Sequence, residues 1–181
     1  TNNTRNLVAL TDLGESRNTQ NAALWGASGD ISPRNAANTE YSAMTTQYAG
    51  ARDIDQTSTV LDAIPGFAGG VDYEKMQSAR LLSSSEYTVN AALGYISLKT
   101  TLQSDQVLAV AFEYTLGGQT FQVGEFSTDN TNTAQALFVK TLRNVNNSPQ
   151  MGNWRLMMKN VYSLASNIEK QKFRLDIKYQ S

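Results

Sequence analysis

The sequence predicts a mainly β to α+β domain: an antiparallel, sandwich-like β fold with one or two short helices, one of them near residues 154–165. Three observations predict it. Short apolar runs with strand-like alternation recur from Val71 onward, the spacing of a sandwich rather than of a parallel α/β sheet. A Gly117-Gly118 pair separates two such runs and suits a two-residue hairpin turn. NWRLMMKNVYSL, residues 153–164, carries apolar residues at helical spacing.

The first third is polar and weakly periodic. RNLVALTDLGES (5–16) holds one apolar run, Leu7 to Leu10, which reads as a strand followed by a turn at 12–15. Residues 17–57 are crowded with Asn, Ala, Ser, Thr and Gly, a loop-rich or partly disordered composition. Leu24, Trp25, Ile31, Tyr41, Met44, Tyr48 and Ile54 are its candidate core residues. The expected organisation is a loop-rich segment, 1–57, with one short strand, and a β-rich core domain, 58–181. A single domain with the first segment packed on the second is the alternative. Ser58 can cap a short helix through Val60, Leu61 and Ile64, which Pro65-Gly66 ends.

YTVN (87–90) and LGYISLK (93–99) read as short strands joined through Gly94. The clearest signal is VLAVAFEYTLGGQTFQVGEF, 107–126. With Gly117-Gly118 as the turn, Leu116 faces Gln119, Tyr114 faces Phe121 and Phe112 faces Val123. Leu108, Val110, Phe112, Tyr114, Phe121 and Val123 then share one face, and Ala109, Ala111, Glu113, Thr120 and Gln122 the other. A one-residue slip destroys that agreement. Full burial of Phe112 on this face would make Phe112→Ala cost about 3–5 kcal/mol. ALFVKTLR (136–143) is a further strand, with helix as the alternative. FRLDIKY (173–179) alternates as a half-buried strand. On a helical wheel Trp154, Met157, Met158, Val161, Tyr162, Leu164 and Ala165 fall together, with Asn153 as N-cap; a strand is the alternative. Either way the apolar side reads as core.

Composition excludes several function classes. The 181 residues contain no Cys and no His, which removes disulfides, thiolate nucleophiles, Cys/His zinc sites and any imidazole-dependent mechanism. Net charge is −1, so nothing draws the chain to nucleic acid. Residues 1–74 hold four Arg against nine Asp and Glu, a balance of −5, which leaves +4 for 75–181. No apolar run is long enough for a transmembrane helix. Opening at Thr1, the chain reads as an excised piece of a longer, processed protein.

Candidate sites are sparse. Asp129, Asn130 and Asn132 in STDNTNT lack the glycine and final glutamate of a calcium loop. Asp53 and Asp55 in ARDID are a carboxylate pair without an evident cleft. PGFAGG (65–70) lacks the Lys-Ser/Thr of a phosphate loop. Trp25, Tyr41 and Tyr48 form a candidate aromatic binding surface for a glycan or a protein. No catalytic residue, metal or cofactor is expected, and a non-enzymatic domain is the reading.

Three segments in order, ARLLSSSEYT, LGYISL through the Gly-Gly hairpin, and LMMKNVYSL, resemble the SprA/Sov family, as does RNLVALTDLGES. These are very large outer-membrane proteins of Bacteroidetes, associated with type IX secretion and gliding motility. The resemblance is strongest over 71–181 and thins across 17–57. It implies a translocon: a giant β-barrel with an aqueous lumen, on which envelope proteins dock and through which secreted cargo leaves. It associates no catalytic residues with the chain. It implies an outer-membrane or envelope location, with this piece an extracellular or periplasmic domain that does not itself span the membrane. Capping, gating or docking would be its work. A cell-surface β-sandwich module that binds glycan or protein is the alternative.

Overall fold

A computed structural model describes residues 4–159 and the single residues 161, 171, 173, 174, 176 and 178. The described residues form a β-rich α+β fold with several antiparallel pairings and a sheet that curls into a half-barrel. The strands are β1 (Thr4–Leu10), β2 (Tyr73–Arg80), β3 (Tyr87–Asn90), β4 (Tyr95–Leu98), β5 (Leu108–Val110), β6 (Phe112–Leu116), β7 (Gln119–Val123) and β8 (Leu137–Arg143). Two short helices, α1 (Glu40–Thr46) and α2 (Thr57–Leu61), lie between β1 and β2.

The main sheet runs β2-β1-β8-β5. Its two central strands pair in parallel, with Leu7 opposite Leu137 and Leu10 opposite Lys140. β8 is buried along its first five residues, three apolar ones followed by Lys140 and Thr141, as a central strand covered on both faces is. Alternation divides its side chains between two clusters. Val8, Leu10 and Phe138 join Leu13, Trp25, Met44, Leu61, Phe67 and Tyr73 in the larger. Ala9, Leu137 and Val139 form the smaller, flanked by Leu7, Met76, Ala109 and Ala111.

The larger face is covered by the stretch expected to be loop-rich. Trp25, Met44 and Ile54 are buried and Leu24, Tyr41 and Tyr48 pack beside them, whereas Ile31 is exposed. Trp25 meets Phe67 edge-on at 5.6 Å, and Phe67 stacks on Tyr73 at 5.7 Å. Each such aromatic pair adds about 0.5–1.5 kcal/mol beyond its buried area. One core therefore draws on residues from both sides of position 57. Polar composition hid this because the segment folds by caps and turns: Asn38 Oδ1 accepts the Glu40 amide at 2.8 Å, and Thr57 donates to the Ala51 carbonyl at 2.9 Å.

β2 was not anticipated, since YEKMQSAR shows no alternation. It is an edge strand beside β1, and the register shifts between Arg5 and Leu7. Ser78 opposite the shift takes a positive φ of 52°, and its amide donates to Asn6 Oδ1 at 3.0 Å. The irregularity is a bulge, a device that ends or bends an edge.

The Gly-Gly hairpin has the predicted register: Phe112 faces Val123, Tyr114 faces Phe121 and Leu116 faces Gln119. Both turn glycines have positive φ, 61° and 79°, as a two-residue turn of this kind requires. The expected single strand through 107–116 is divided, however. β5 stays in the main sheet and β6 leaves it to pair with β7. At the break Gly124 lies against Ala111; a Cβ on Gly124 would stand 3.0 Å from the Ala111 Cβ and 3.2 Å from the Val110 carbonyl. Ala109 and Ala111, expected on the face of small or polar residues, pack against the smaller cluster. Phe112 is only partly buried, which lowers the expected cost of Phe112→Ala to about 1–3 kcal/mol. A urea titration that showed the full cost of a buried aromatic would contradict this placement.

The two short runs form strands joined through Gly94, at a φ of 67°, as expected, and they pair with each other, Tyr87 with Leu98 and Asn90 with Tyr95. The helix expected near 154–165 is instead a 3-10 helix, Gly152–Leu156, and the backbone is extended at Met157 (φ −75°, ψ 137°). Asn153, predicted as its N-cap, is inside the turn and buried, its side-chain Nδ2 donating to Asn144 Oδ1 at 2.5 Å. Met158 and Val161, expected on the helix's core side, are exposed at 60% and 69%, and Phe173 of FRLDIKY is half exposed, with no strand at 173, 174, 176 or 178. Residues 160, 162–165, 175, 177 and 179 of these two predictions lie outside the described residues.

Candidate functional site

The three aromatics of the predicted binding surface do not form one platform. Trp25 is 3% exposed and serves the core, so neither face of its ring is open for stacking. Tyr41 projects from α1, and its hydroxyl donates to Glu125 Oε1 at 2.9 Å. Burial raises the phenol's pKa, and the neighbouring Glu125 raises it further. Tyr48 borders a cleft of about 340 Å³ with Leu24, Trp25 and the α1 residues Ser42 and Gln47; Tyr41 is not in its wall. Tyr41 is on α1, whereas Tyr48 lies past the end of that helix, at the start of the 3-10 turn Ala49–Arg52, and Trp25 belongs to the chain before it.

The other sequence candidates resolve into local structure. Arg5 Nη2 donates to the carbonyls of Asn130 (2.6 Å) and Asn132 (2.8 Å), so a guanidinium occupies the concave side of the STDNTNT loop. Asp129 closes the loop by accepting from the Phe126 amide at 2.8 Å. Asp53 and Asp55 are exposed, and Asp53 Oδ1 accepts the Asp55 amide at 3.1 Å, a turn. The PGFAGG glycines 66 and 70 take positive φ in tight turns. Among the described residues, no group of three or more Asp or Glu is placed to share a metal ion.

Sequence reading missed two buried polar assemblies. The first is centred on Glu125, between β7 and β8. Arg52 donates to both of its oxygens (2.8 and 2.6 Å), Tyr41 to one, and the Phe138 amide to the other at 3.0 Å. The Arg52 guanidinium lies 4.3 Å over the Phe138 ring, and its hydrogen bonds to Glu125 raise its already high pKa. The second lies at the end of β1. Lys140 Nζ donates to the Thr11 carbonyl and sits 3.1 Å from Glu15 Oε1, whose partner oxygen meets Arg155 at 2.6 Å. The Asp12 carboxylate accepts the amides of Gln20 and Asn21 at 2.5 and 2.8 Å. Asn38 Nδ2 donates to the carbonyls of Asp12 and Glu15, both at 2.8 Å. Pairs separated by 73 or 129 residues leave no periodic trace in a sequence.

The surface offers one feature of another kind. The β3–β4 hairpin is a two-stranded sheet of its own. It exposes Val89 (62%) and Leu93 (74%), with Ile96 directly opposite Val89. Leu81, just after β2, is also exposed. A fork of two 2.8 Å bonds from Arg80 to Glu86 fixes the approach to the hairpin. Those bonds hold the Glu86 carboxyl down at about 2. The pair is exposed, so its role is geometry more than stability. Leu116, beside the β6–β7 turn, is exposed as well. That hairpin is tied down by Tyr114, whose hydroxyl donates to the Pro33 carbonyl at 2.8 Å. Residues 18–20 and 149–155 enclose a separate groove of about 430 Å³, with Trp154 in its wall and Lys159 6.0 Å from the Trp154 ring.

No protein-family model matches the chain, and no curated protein matches it. No helix among the described residues is long and apolar enough to cross a membrane.

Proposed function

We propose that this chain is a non-catalytic interaction domain of a SprA-like type IX translocon, with its partners among envelope and secretion-system proteins and secreted cargo. The observation that carries the reading is the apolar strip of Val89, Leu93 and Ile96 on a hairpin outside the main sheet. A two-stranded hairpin is marginal by itself in water, and contiguous exposed apolar area marks contact sites. Two of the segments that carry the family resemblance, ARLLSSSEYT and LGYISL, build this hairpin and its approach. The domain's work is then docking, capping or gating through surface complementarity, at the outer membrane, on its extracellular or periplasmic side.

The triple substitution Val89→Ser, Leu93→Ser, Ile96→Ser, made in the full-length protein in cells, is the test. Secretion and gliding are expected to fall while the protein's abundance is unchanged. Normal secretion and normal gliding would overturn the docking reading.

A further inference from the structure

Glu40 is the first residue of α1, and its side chain is fully buried. No described residue donates a hydrogen bond to either of its carboxyl oxygens. An ionised carboxylate in that position would lose its hydration without replacement, a cost larger than any single contact returns. The charged groups around it do not compensate. Asp12 faces it from the end of β1 and Asp72 from the turn before β2, and both repel a negative charge. Lys140 faces it from β8 and attracts, but its ammonium already bonds the Thr11 carbonyl and pairs with Glu15. Asp12 and Asp72 are in turn held by backbone amides, of Gln20 and Asn21 and of Ala68. They cannot turn away to relieve the repulsion.

We propose that Glu40 is a proton-held latch: a neutral carboxyl keeps the start of α1 seated against the end of β1, and loss of its proton releases that contact. Asn38 makes the linkage mechanical. Its Oδ1 accepts the Glu40 amide while its Nδ2 holds the Asp12 and Glu15 carbonyls. Expelling Glu40 therefore breaks the bonds between the helical layer and the sheet at one point. Burial pushes the Glu40 carboxyl well above its ordinary 4.5, and the nearby Asp12 adds to that. Asp12 and Asp72 are raised by burial too. A group whose pKa is raised by folding gives stability that is complete below its unfolded value and lost as pH rises through the folded one. The latch thus favours the closed form in mild acid and loosens it from about pH 4.5 upward. Lys140, lowered by burial from its ordinary 10.5, acts with the opposite sign, adding stability as pH rises toward that value.

Glu40→Gln keeps the shape and removes the charge. In urea titrations of the whole chain from pH 4.5 to 8.5, its folded-to-unfolded ratio relative to wild type should grow with pH. One proton linked to folding sets a ceiling of about tenfold per pH unit. A ratio that stays constant with pH, or falls, means that Glu40 is ionised and paired with Lys140, and overturns the proposal. If Glu40→Gln does not fold, the ¹³C signal of the Glu40 carboxyl in the unaltered chain decides. A protonated signal at pH 7 supports the latch, and a midpoint near 4.5 overturns it.

Discussion

Phe138→Ala is expected to destabilise the domain by about 3–5 kcal/mol, the range for removing a fully buried aromatic. Phe138 is completely buried on β8, the central strand through which β1 and β5 are joined. Its ring contacts the larger core, between the sheet and the helical layer. It also lies under the Arg52 guanidinium, and a cation over a ring is worth about 0.5–2 kcal/mol according to its desolvation. The backbone of Phe138 bonds Glu125 in both directions, at 2.9 and 3.0 Å, and alanine keeps those bonds. The loss is therefore one of packing. Phe138→Leu should cost roughly half as much, because leucine refills part of the cavity. Urea midpoints at a constant m-value would read both. A loss below about 1 kcal/mol for Phe138→Ala would mean the β8 register is wrong.

Glu125→Ala is the second large effect, about 2–4 kcal/mol. Removing one member of a fully buried ion pair costs about 3–5 kcal/mol; Arg52 keeps 15% exposure, which lets water recover part of that. The alanine also strands the Tyr41 hydroxyl and the Phe138 amide. The replacement of both partners, Glu125→Leu with Arg52→Met, should lie closer to wild type than Glu125→Ala alone. Breaking a buried pair leaves an uncompensated charge, whereas apolar replacement of both leaves none. A double-mutant cycle between Arg52→Met and Glu125→Leu measures the coupling. Simple additivity of the two single losses would show that the bidentate pair contributes nothing as a pair.

What the sequence could show depended on whether the signal was local. The Gly117-Gly118 turn and the alternation beside it specify the β6–β7 register because a slip would move every apolar residue to the wrong side. β3 and β4 were legible as two short β-type runs with Gly94 between them, but nothing in them specified a register, since neither strand has a buried residue. β2 was not legible, because an edge strand with one half-covered face needs no alternation. The parallel pairing of β1 with β8 joins residues 130 apart, and nothing in either strand names its partner. Residues 17–57 read as loops because their core contribution comes from isolated side chains, Trp25, Met44 and Ile54, on turns and short helices. The aromatic surface failed on that same point: Trp25 is an anchor of the core. The apolar spacing at Trp154 and Met157 predicts an α-helix, but so short a match also suits a 3-10 turn followed by extended chain, which is what forms.

The position of β1 has a consequence for how the chain acquires its shape. Its neighbours are β2 and β8, so the first strand acquires its second partner only when residue 137 arrives. Closing so long a loop costs entropy before any contact returns it, and domains built on such distant pairings fold slowly. The two hairpins, whose strands are sequence neighbours, can zip within microseconds, while β1 waits with one edge unsatisfied. During synthesis, the interval between the emergence of β1 and that of β8 is when this domain is most open to a chaperone, a protease or a wrong strand.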